Sequence, residues 1–441
     1  MTTTDHADQP AKSPAETPKP KLVGPNLLLL FVLLICCFTA WGIAADLTTP
    51  MVAGFKRIFD MNTFQASLVQ LAYFGAYFLL ALPAAFINQR FGYKAGLLSG
   101  LFLAAAGAVA FYPASKIMTY EAFLVALFAI AAGCSILETS ANPFVLSLGP
   151  EETATRRLNF AQAFNPLGTN IGVLLAATLI LPKLDEPVNL AALTPAEVHT
   201  IRAGQLAAVM GPYLGLGFVL LAIGLMIAFK RAPEIVDEYP SADLEGQSPL
   251  KILLSNRHYV LGVIAQFFNV AAQVCTWTYL IQYSQQALHG SLQLGGYLLQ
   301  VSLIVFLISR FVMTWVIGRI RATAAMAVLG ALAVVLCLFA IIAPNVAGVV
   351  AVVALSFCLS LMFPTIYGVA LKGLGPATKF GAAGLVMAIV GGAIMPLVQG
   401  HILDVTSPAV SFVVPAVCFA VVTGYAVFDL AAAPSVKGAK A

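Results

Sequence analysis

Glu138 places a carboxyl group in the middle of a long apolar stretch, and no Lys or Arg lies close to it in the sequence. Desolvation penalises the charged form of such a carboxyl, and ionisable side chains in apolar spans are functional candidates. A carboxyl that takes a proton from one side of a membrane and releases it to the other can drive transport. We therefore predict that Glu138 is a proton-coupling residue. The alternative is a permanently protonated carboxyl that only donates a hydrogen bond between helices.

Amide and aromatic side chains in other apolar stretches recur at helical spacing, which places residues three or four apart on one helix face. Amides donate hydrogen bonds to sugar hydroxyls and accept them, while an indole face stacks on the C–H surface of a sugar ring. These sets predict a site for a neutral polyol, and the alternative for each amide is hydrogen bonding between helices. The sets are Glu138 with Asn142; Gln162 with Asn165; and Gln266, Asn269, Gln273 and Trp277.

Two further ionisable groups lie in apolar stretches. Asp46 follows Trp41 and precedes Thr49. It faces the candidate site if its helix continues beyond Thr49, and it is a solvated acid if the helix ends there. Arg310 is either a substrate or proton-path group, or a structural cation whose long side chain extends towards the cytoplasmic end of its helix. We favour the structural role for Arg310.

These side chains need membrane-spanning helices to position them, and the composition predicts such helices. The chain has 441 residues, of which 60% are hydrophobic and 10% are charged, whereas a soluble domain carries about 25% charged residues. This composition excludes a soluble enzyme, a nucleic-acid-binding protein and a disordered scaffold. A spanning helix needs about 20 mostly apolar residues. Twelve such stretches begin near Asn26, Thr63, Ala95, Tyr120, Leu158, Gly204, Tyr259, Ser291, Ala322, Val346, Gly381 and Pro408.

We predict an all-α polytopic membrane protein with twelve transmembrane helices in two pseudo-symmetric six-helix halves. The Leu-Gly-Pro triplet at 148–150, after the fourth helix, is echoed at 374–376, after the tenth. Duplicated halves place a transporter's substrate site between them at mid-membrane. The predicted parts are a disordered cytoplasmic tail (1–24), an N-terminal bundle (25–231), a cytoplasmic linker (232–257), a C-terminal bundle (258–430) and a second cytoplasmic tail (431–441).

The connections between the stretches predict the orientation. If the N-terminus is inside, most Lys and Arg of the short loops are also inside, as the positive-inside rule requires. Both termini then lie in the cytoplasm, and the chain spans the cytoplasmic (inner) membrane many times. In an outer connection, Thr194 and Glu197 flank Pro195 in a capping-box pattern that predicts a short surface helix.

Cysteine and histidine give no sign of a metal or redox site. The 7 Cys all lie in apolar runs and the 5 His are scattered, without the spacing of metal ligands. We therefore interpret the cysteines as small buried hydrophobic residues. The sequence predicts no metal, no cofactor and no enzymatic activity.

The sequence resembles the fucose permease family of the major facilitator superfamily, which holds L-fucose:proton symporters and hexose-transporting relatives. The resemblance covers about residues 27–430 and is most specific at 137–144, 158–165 and 265–280, with a less distinctive match at 363–368. It implies the major facilitator fold, alternating access and proton-driven sugar uptake. It assigns Glu138 to proton coupling, and Gln162, Asn165 and Trp277 to the sugar cavity.

The candidate site follows from the residue patterns and the resemblance together. Its proton-coupling members are Glu138 and Asp46. Its substrate-binding members are Gln162, Asn165, Asn142, Trp277, Gln273, Asn269, Gln266, Trp41, Thr49 and Tyr367.

The first helix departs from the family pattern. Family members carry an acid eight residues after the tryptophan and an amide three residues before that acid. Counted from Trp41, the acid position is Thr49 and the amide position is Asp46. The acid is thus displaced by about one turn, roughly 4.5 Å along the helix axis. The family's role for this acid does not carry over to Asp46 unchanged, and the identity of the sugar stays open.

The predicted function is proton-coupled import of L-fucose or a related monosaccharide by alternating access. The expected partners are the sugar, the proton and the lipid bilayer, with no nucleic acid, and the protein is expected to be a monomer. A sodium-coupled or uncoupled glucose/galactose transporter is the main alternative. A drug/proton antiporter fits the amide-rich stripes less well, and a polytopic membrane enzyme would need nucleophile or metal groups that the sequence does not cluster.

Overall fold

The computed structural model describes residues 22–24, 26–58, 63–180, 194–230 and 248–432; the side chains of residues 48–58 and 63–71 are outside the described part. The helices of the N-terminal half are α1 (Leu28–Ile58), α2 and α3 (together Thr63–Ile117), α4 (Tyr120–Ser147), α5 (Ala154–Gln162 and Asn165–Leu175, with a π-turn at Ala176–Ile180) and α6 (Pro195–Phe229). Those of the C-terminal half are α7 (Arg257–Leu288), α8 (Leu292–Val316), α9 (Ala322–Ile342), α10 (Val346–Leu359 and Met362–Ala370), α11 (Thr378–Met387 and Gly391–Val405) and α12 (Val413–Ala432). A short helix, Pro249–Ser255, precedes α7.

Gly92 divides the long segment Thr63–Ile117 into α2 (63–91) and α3 (93–117). Its φ of 81° and ψ of 165° lie in a region that glycine adopts without steric cost. An unbroken helix of 55 residues would extend about 80 Å, more than twice the roughly 30 Å of a bilayer's hydrocarbon core. Gly92 therefore separates two membrane-spanning helices.

The predicted twelve spans correspond to α1–α12. In the described part of the chain, 11 helical segments are long and apolar enough to cross a membrane, and the longest, Ala72–Ile117, contains most of α2 and all of α3. Several helices begin at the predicted residue, as α4 does at Tyr120 and α9 at Ala322.

The predicted surface helix before α6 is the exception. Thr194 and Glu197 do form a capping box, but it starts one continuous helix that ends at Phe229. The prediction of a separate short helix was wrong because a nucleated helix gains one hydrogen bond for each added residue, and no proline follows the box before Pro212. The predicted linker and tails lie largely outside the described residues, so their boundaries stay a prediction.

Two helices are interrupted near their middle by non-helical residues, while α11 passes through a 3-10 turn at Ala388–Val390. α5 breaks at Ala163 and Phe164, just before Pro166, and α10 breaks at 360–361, just before Pro364. Proline has no N–H and its ring clashes with the preceding turn, so it disrupts the helical hydrogen bonds there. In transporters, discontinuous helices often form the substrate site near the bilayer midplane.

The two halves meet along several pairs of helices, and two of these pairs show close contacts between aromatic rings. α2 packs on α11, where the rings of Phe86 and Phe380 lie 5.1 Å apart, and α5 packs on α8, where Phe164 and Phe311 lie 5.3 Å apart. One apolar core consists of residues from α7–α12, while the other combines the N-terminal half with residues from the C-terminal half such as Tyr367. The interruptions of α5 and α10 therefore lie close to the contact between the halves.

Glycines let α1 and α5 approach closely. A Cβ atom at Gly42 would overlap the carbonyl oxygen of Asn165, and one at Gly168 would overlap the carbonyl oxygen of Thr39. This packing places the stretch of α1 that contains Asp46 directly against the second segment of α5.

Candidate functional site

Glu138 is fully buried in α4, nine residues before the helix ends at Ser147. Neither carboxyl oxygen has a hydrogen-bond partner of normal geometry among the described residues. Asn142, one turn further along α4, lies within weak hydrogen-bonding range of the carboxyl, and Arg310 of α8 interacts with it electrostatically. Because buried polar groups are nearly always paired, an unpartnered carboxyl here is available to a proton or a polar ligand.

Arg310 extends from the C-terminal half into the N-terminal half. Its side chain is buried, and Nη1 donates to the main-chain oxygen of Gln162 at 3.0 Å and to Oε1 of the same residue at 3.3 Å. The Gln162 carbonyl is free for this contact because the residue four positions later is Pro166, which has no N–H. The Phe306 ring lies 4.8 Å from the guanidinium carbon and adds a cation–π contact.

Arg310 is bonded inside the bundle, and the structural role favoured for it stays a prediction. The side chain does not extend along its own helix to water, because its guanidinium is held in the bundle by the oxygens of Gln162. The sequence contains a signal for this contact. Pro166, four residues after Gln162, predicts an unpaired carbonyl in the middle of α5, and a buried carbonyl requires a donor.

The polar residues of α4, α5 and α10 form one cluster at the helix breaks. Gln162 Nε2 donates to Asn142 Oδ1 at 2.8 Å. Tyr367, fully buried in α10, interacts electrostatically with Asn142 and Glu138. The structure thus brings together four of the predicted site residues from both halves, with Arg310 as a fifth member.

The amide stripe of α7 lies beside the break in α10. Gln266 and Asn269 are fully buried, and both polar atoms of each amide lack a partner in the described part of the chain. α7 and α10 run antiparallel, and Gly262 packs on Ala370 near one end of the pair, which sets Gln266 and Asn269 alongside the interruption. Gln273 is half-buried on the same stripe. Free amide donors and acceptors are the groups that a polyhydroxylated ligand needs.

Trp277 continues the stripe and is held by groups from two other helices. Its Nε1 donates to Ser356 Oγ of α10 at 3.0 Å, and Ser356 in turn lies 2.6 Å from Ser302 Oγ of α8. The Phe306 ring packs edge-on against the indole at 5.1 Å. Since Phe306 also contacts Arg310, the tryptophan is joined to the charged cluster by continuous contacts.

Asp46 lies within α1 rather than at its end. The helix continues to Ile58, which is the arrangement expected if Asp46 faces the site. The acid is half-buried and forms a hydrogen bond with the side chain of Thr169 in α5. The side chain of Thr49, the family's acid position, lies outside the described residues.

Two tyrosines of α2 connect the predicted coupling residues of α1 and α4. Trp41 Nε1 donates to Tyr77 Oη at 2.7 Å, and Tyr73 Oη donates to the same atom at 3.4 Å. Tyr73 interacts electrostatically with both Asp46 and Glu138. These tyrosines are not among the residues predicted from the sequence, although their four-residue separation on one helix face was a usable signal.

Asn165, like Gln162, is a predicted sugar contact whose amide is bonded to another helix. Its Nδ2 donates to the carbonyl oxygen of Phe38 in α1 at 3.3 Å. This is the interhelical bond that was the alternative for each amide, so a role for Asn165 in sugar binding stays a prediction.

The described residues contain no group of three or more His, Cys, Asp or Glu side chains placed to hold a metal ion. All 7 cysteines are free thiols, and all but Cys36 are fully buried. Their burial confirms the interpretation of these residues as small hydrophobic side chains. What the site offers chemically is one unpartnered carboxyl, one buried guanidinium, free amides and indole rings.

Known transporters are similar to this chain over most of its length. The Major Facilitator Superfamily model matches residues 29–391. The chain is 39% identical to the L-fucose-proton symporter of Haemophilus influenzae, covering 92% of this chain and 97% of that protein. It is 36% identical to the L-fucose-proton symporter of Escherichia coli, with 91% and 93% covered, and 33% identical to a glucose/galactose transporter of Brucella abortus, with 88% and 91% covered.

Among solved structures, the fold is similar to the crystal structure of a Major Facilitator Superfamily transporter in the outward conformation. The TM-score is 0.85 at 35% sequence identity, and the match covers 91% of this chain and 98% of the other. The chain is therefore a multi-pass membrane protein that belongs to the fucose permease family of the Major Facilitator Superfamily.

Proposed function

We propose that this protein is a proton-coupled symporter that imports L-fucose or a related monosaccharide by alternating access. It spans the cytoplasmic membrane as a monomer with both termini in the cytoplasm. The two relatives named L-fucose-proton symporters are more similar to this chain than the glucose/galactose transporter is, which supports this choice of sugar.

The observation that carries the proposal is the buried Glu138 carboxyl interacting with Arg310 across the contact between the halves. A charged carboxylate attracts the guanidinium, and this attraction is several times stronger inside a protein than in water. Protonation of Glu138 removes it. Proton binding therefore changes an interaction between the two halves, and a difference in proton affinity between two states is what coupling requires.

The sugar binds in this scheme between the halves. The free amides of Gln266 and Asn269 in α7 meet its hydroxyl groups from one half, and Gln162 meets them from the other half. Asp46 acts as a second, modulating carboxyl. With Glu138 protonated and sugar bound, the bundle opens to the cytoplasm, and release of the proton and the sugar completes the cycle.

A sodium-coupled or uncoupled hexose transporter is the second candidate. Two observations favour it: the acid of α1 is displaced by one turn from the family position, and the chain is 33% identical to a glucose/galactose transporter.

Counterflow in proteoliposomes with a panel of labelled monosaccharides tests the function and the sugar. Uptake under an imposed pH gradient, with sodium replaced by choline, then tests the coupling ion. We expect accumulation of L-fucose or a close analogue that follows the pH gradient and needs no sodium. A sodium requirement without a response to pH would favour the second candidate, and no movement of any monosaccharide would refute both.

A further inference from the structure

The indole N–H groups of Trp277 and Trp41 are both bonded to hydroxyls of their own half. Trp277 donates to Ser356 at 3.0 Å, and Trp41 donates to Tyr77 at 2.7 Å. Ser356 and Tyr77 are fully buried, whereas both indoles are only half-buried. Neither N–H is therefore available to a ligand, while part of each ring remains accessible.

Trp277 is held on more than one side. Ser356 is itself fixed by the 2.6 Å contact between its Oγ and that of Ser302, which is also fully buried. Phe306 meets the indole edge-on, with an interplanar angle of 81°. Groups from α8 and α10 thus set both the direction of the N–H bond and the plane of the ring, and a ring fixed in this way is preorganised for stacking.

We propose that Ser356 is a positioning residue that fixes the Trp277 indole as a flat apolar wall of the sugar site, and that Tyr77 does the same for Trp41. This inference rests on the proposed function. With its N–H bonded to the protein, each indole contributes only ring surface. The hydrogen bonds to the sugar then come from Gln266 and Asn269, whose amide atoms are free.

Such a site distinguishes ring sugars from open-chain polyols. A pyranose presents a rigid face of C–H groups to an aromatic wall, whereas the corresponding alditol carries the same kind of hydroxyl groups on a flexible chain. The alditol must lose conformational freedom to present an equivalent face. We therefore expect the fixed indole to determine the preference for the cyclic form.

Replacement of Ser356 tests the positioning role in proteoliposomes. Ser356→Ala should raise the apparent KM for counterflow about three- to ten-fold, the loss expected for one hydrogen bond, with the maximal rate changed less than about two-fold. It should also reduce the ratio of the half-inhibitory concentration of the alditol to that of the sugar. Ser356→Thr keeps the hydroxyl and should restore both values, and Tyr77→Phe should raise the apparent KM in the same way.

Ser360 provides a matched control. It is a buried serine at the break of the same helix, and among the described residues its hydroxyl donates to the main-chain oxygen of Phe357 at 2.7 Å and not to Trp277. Ser360→Ala should leave the apparent KM and the alditol ratio unchanged. An equal effect of Ser360→Ala and Ser356→Ala, or an unchanged alditol ratio in Ser356→Ala, would overturn the inference.

Fluorescence tests the positioning without any sugar. The chain has 3 tryptophans, so Trp41→Phe with Trp315→Phe leaves Trp277 as the sole reporter. In this background Ser356→Ala should lower the fluorescence anisotropy of Trp277, and Ser360→Ala should not. Unchanged anisotropy would overturn the role of Ser356. Failure of the wild type to exchange any sugar would instead overturn the proposed function, and the anisotropy would still decide whether Ser356 holds the ring.

Discussion

The guanidinium of Arg310 donates a hydrogen bond to the main-chain oxygen of Gln162 at 3.0 Å, and this bond joins the two halves of the protein at the break in α5. This hydrogen bond links an interrupted helix to a buried cation. The carbonyl belongs to an interrupted helix near the site, and the cation is the one that interacts with Glu138.

Arg310→Lys is expected to lower both the melting temperature of the purified protein and sugar uptake. Arg310 reaches both oxygens of Gln162 with its terminal nitrogen Nη1. A lysine side chain is shorter and does not carry its ammonium to that position, and a hydrogen bond to a charged group contributes about 1.5–3 kcal/mol. Pro166→Ala supplies the N–H that the Gln162 carbonyl lacks, so Arg310→Lys should be less destabilising in that background. If Arg310→Lys lowers the melting temperature equally in both backgrounds, the bond to the Gln162 carbonyl contributes nothing to stability.

Glu138→Gln is expected to abolish accumulation of sugar against a gradient while sugar exchange continues. Glutamine has the shape of the protonated carboxyl but cannot release a proton, so the variant stays in the state that carries sugar. Uptake driven by a pH gradient and counterflow, measured in the same proteoliposomes, separate the two activities.

Glu121→Gln is the control for this change, because Glu121 lies in the first turn of the same helix and is exposed. It should leave both activities as in the wild type. Accumulation by Glu138→Gln at the wild-type level would contradict the coupling role.

Asp46→Asn is expected to reduce proton-driven uptake, though less than Glu138→Gln does. Asparagine keeps a hydrogen bond to Thr169 but removes the charge, and Asp46 is less buried than Glu138. Adding Thr49→Asp gives the family arrangement, with the amide and then the acid three residues later. The double variant should regain proton-driven uptake, measured under the same pH gradient. If Asp46→Asn alone matches the wild type, the acid of α1 takes no part in coupling.

Much of the fold could be predicted because each span needs a long apolar stretch, and the chain supplies twelve. The continuous length of α6 could not be predicted from the sequence, because it depends on how far the helix propagates after the capping box at Thr194. The electrostatic interaction of Glu138 with Arg310 could not be predicted from the sequence either. The two residues are far apart in sequence, and their helices are connected through Gln162 of α5, which contacts both Asn142 and Arg310. Spacing along a helix predicts a shared face, but not which helix that face meets.

The α7 stripe also shows how much helical spacing can predict and where it fails. Its spacing predicted that Gln266, Asn269 and Trp277 share a face, and all of them lie towards the candidate site or its neighbour α10. The free amides of Gln266 and Asn269 and the bonded N–H of Trp277 could not be distinguished from spacing alone, because Ser356 comes from a helix that spacing does not relate to α7.

Gly168→Ala is expected to weaken the packing of α1 on α5 and to lower the yield of folded protein. A Cβ atom at this position would overlap the carbonyl oxygen of Thr39, and main-chain atoms cannot move aside without shifting the helix. Overpacking of this kind typically costs about 1–3 kcal/mol. Size-exclusion chromatography and the melting temperature in detergent would measure the effect.

Gly424→Ala is the matched control in α12, where a Cβ atom would meet nothing within 4 Å. Because alanine is favoured over glycine inside helices by about 0.5–1 kcal/mol, this variant should be neutral or stabilised. If Gly424→Ala lowers the melting temperature as much as Gly168→Ala does, the close approach of α1 and α5 is not the cause of the destabilisation.

The capping box at the start of α6 predicts a pH dependence. The main-chain N–H and the hydroxyl of Thr194 donate to Glu197 Oε2 at 2.8 and 2.7 Å. These bonds favour the charged carboxylate and lower the pKa of Glu197 below its ordinary value of 4.5. A lowered pKa means that the stabilisation is complete above the ordinary pKa and is lost as the pH falls through the lower, folded-state pKa.

Glu197→Ala should therefore speed amide hydrogen exchange in residues 195–200 at pH 7, relative to the wild type at the same pH. The difference should shrink as the pH falls progressively below the ordinary carboxyl pKa of 4.5, since wild-type Glu197 is then increasingly protonated and its bonds from Thr194 weaken. Hydrogen-exchange mass spectrometry on both proteins at each pH measures this, and the matched comparison removes the intrinsic pH dependence of exchange. Because the side chain is fully exposed, the effect should stay confined to the first turns of α6. A difference that persists unchanged at low pH would assign the role of Glu197 to packing rather than to its charge.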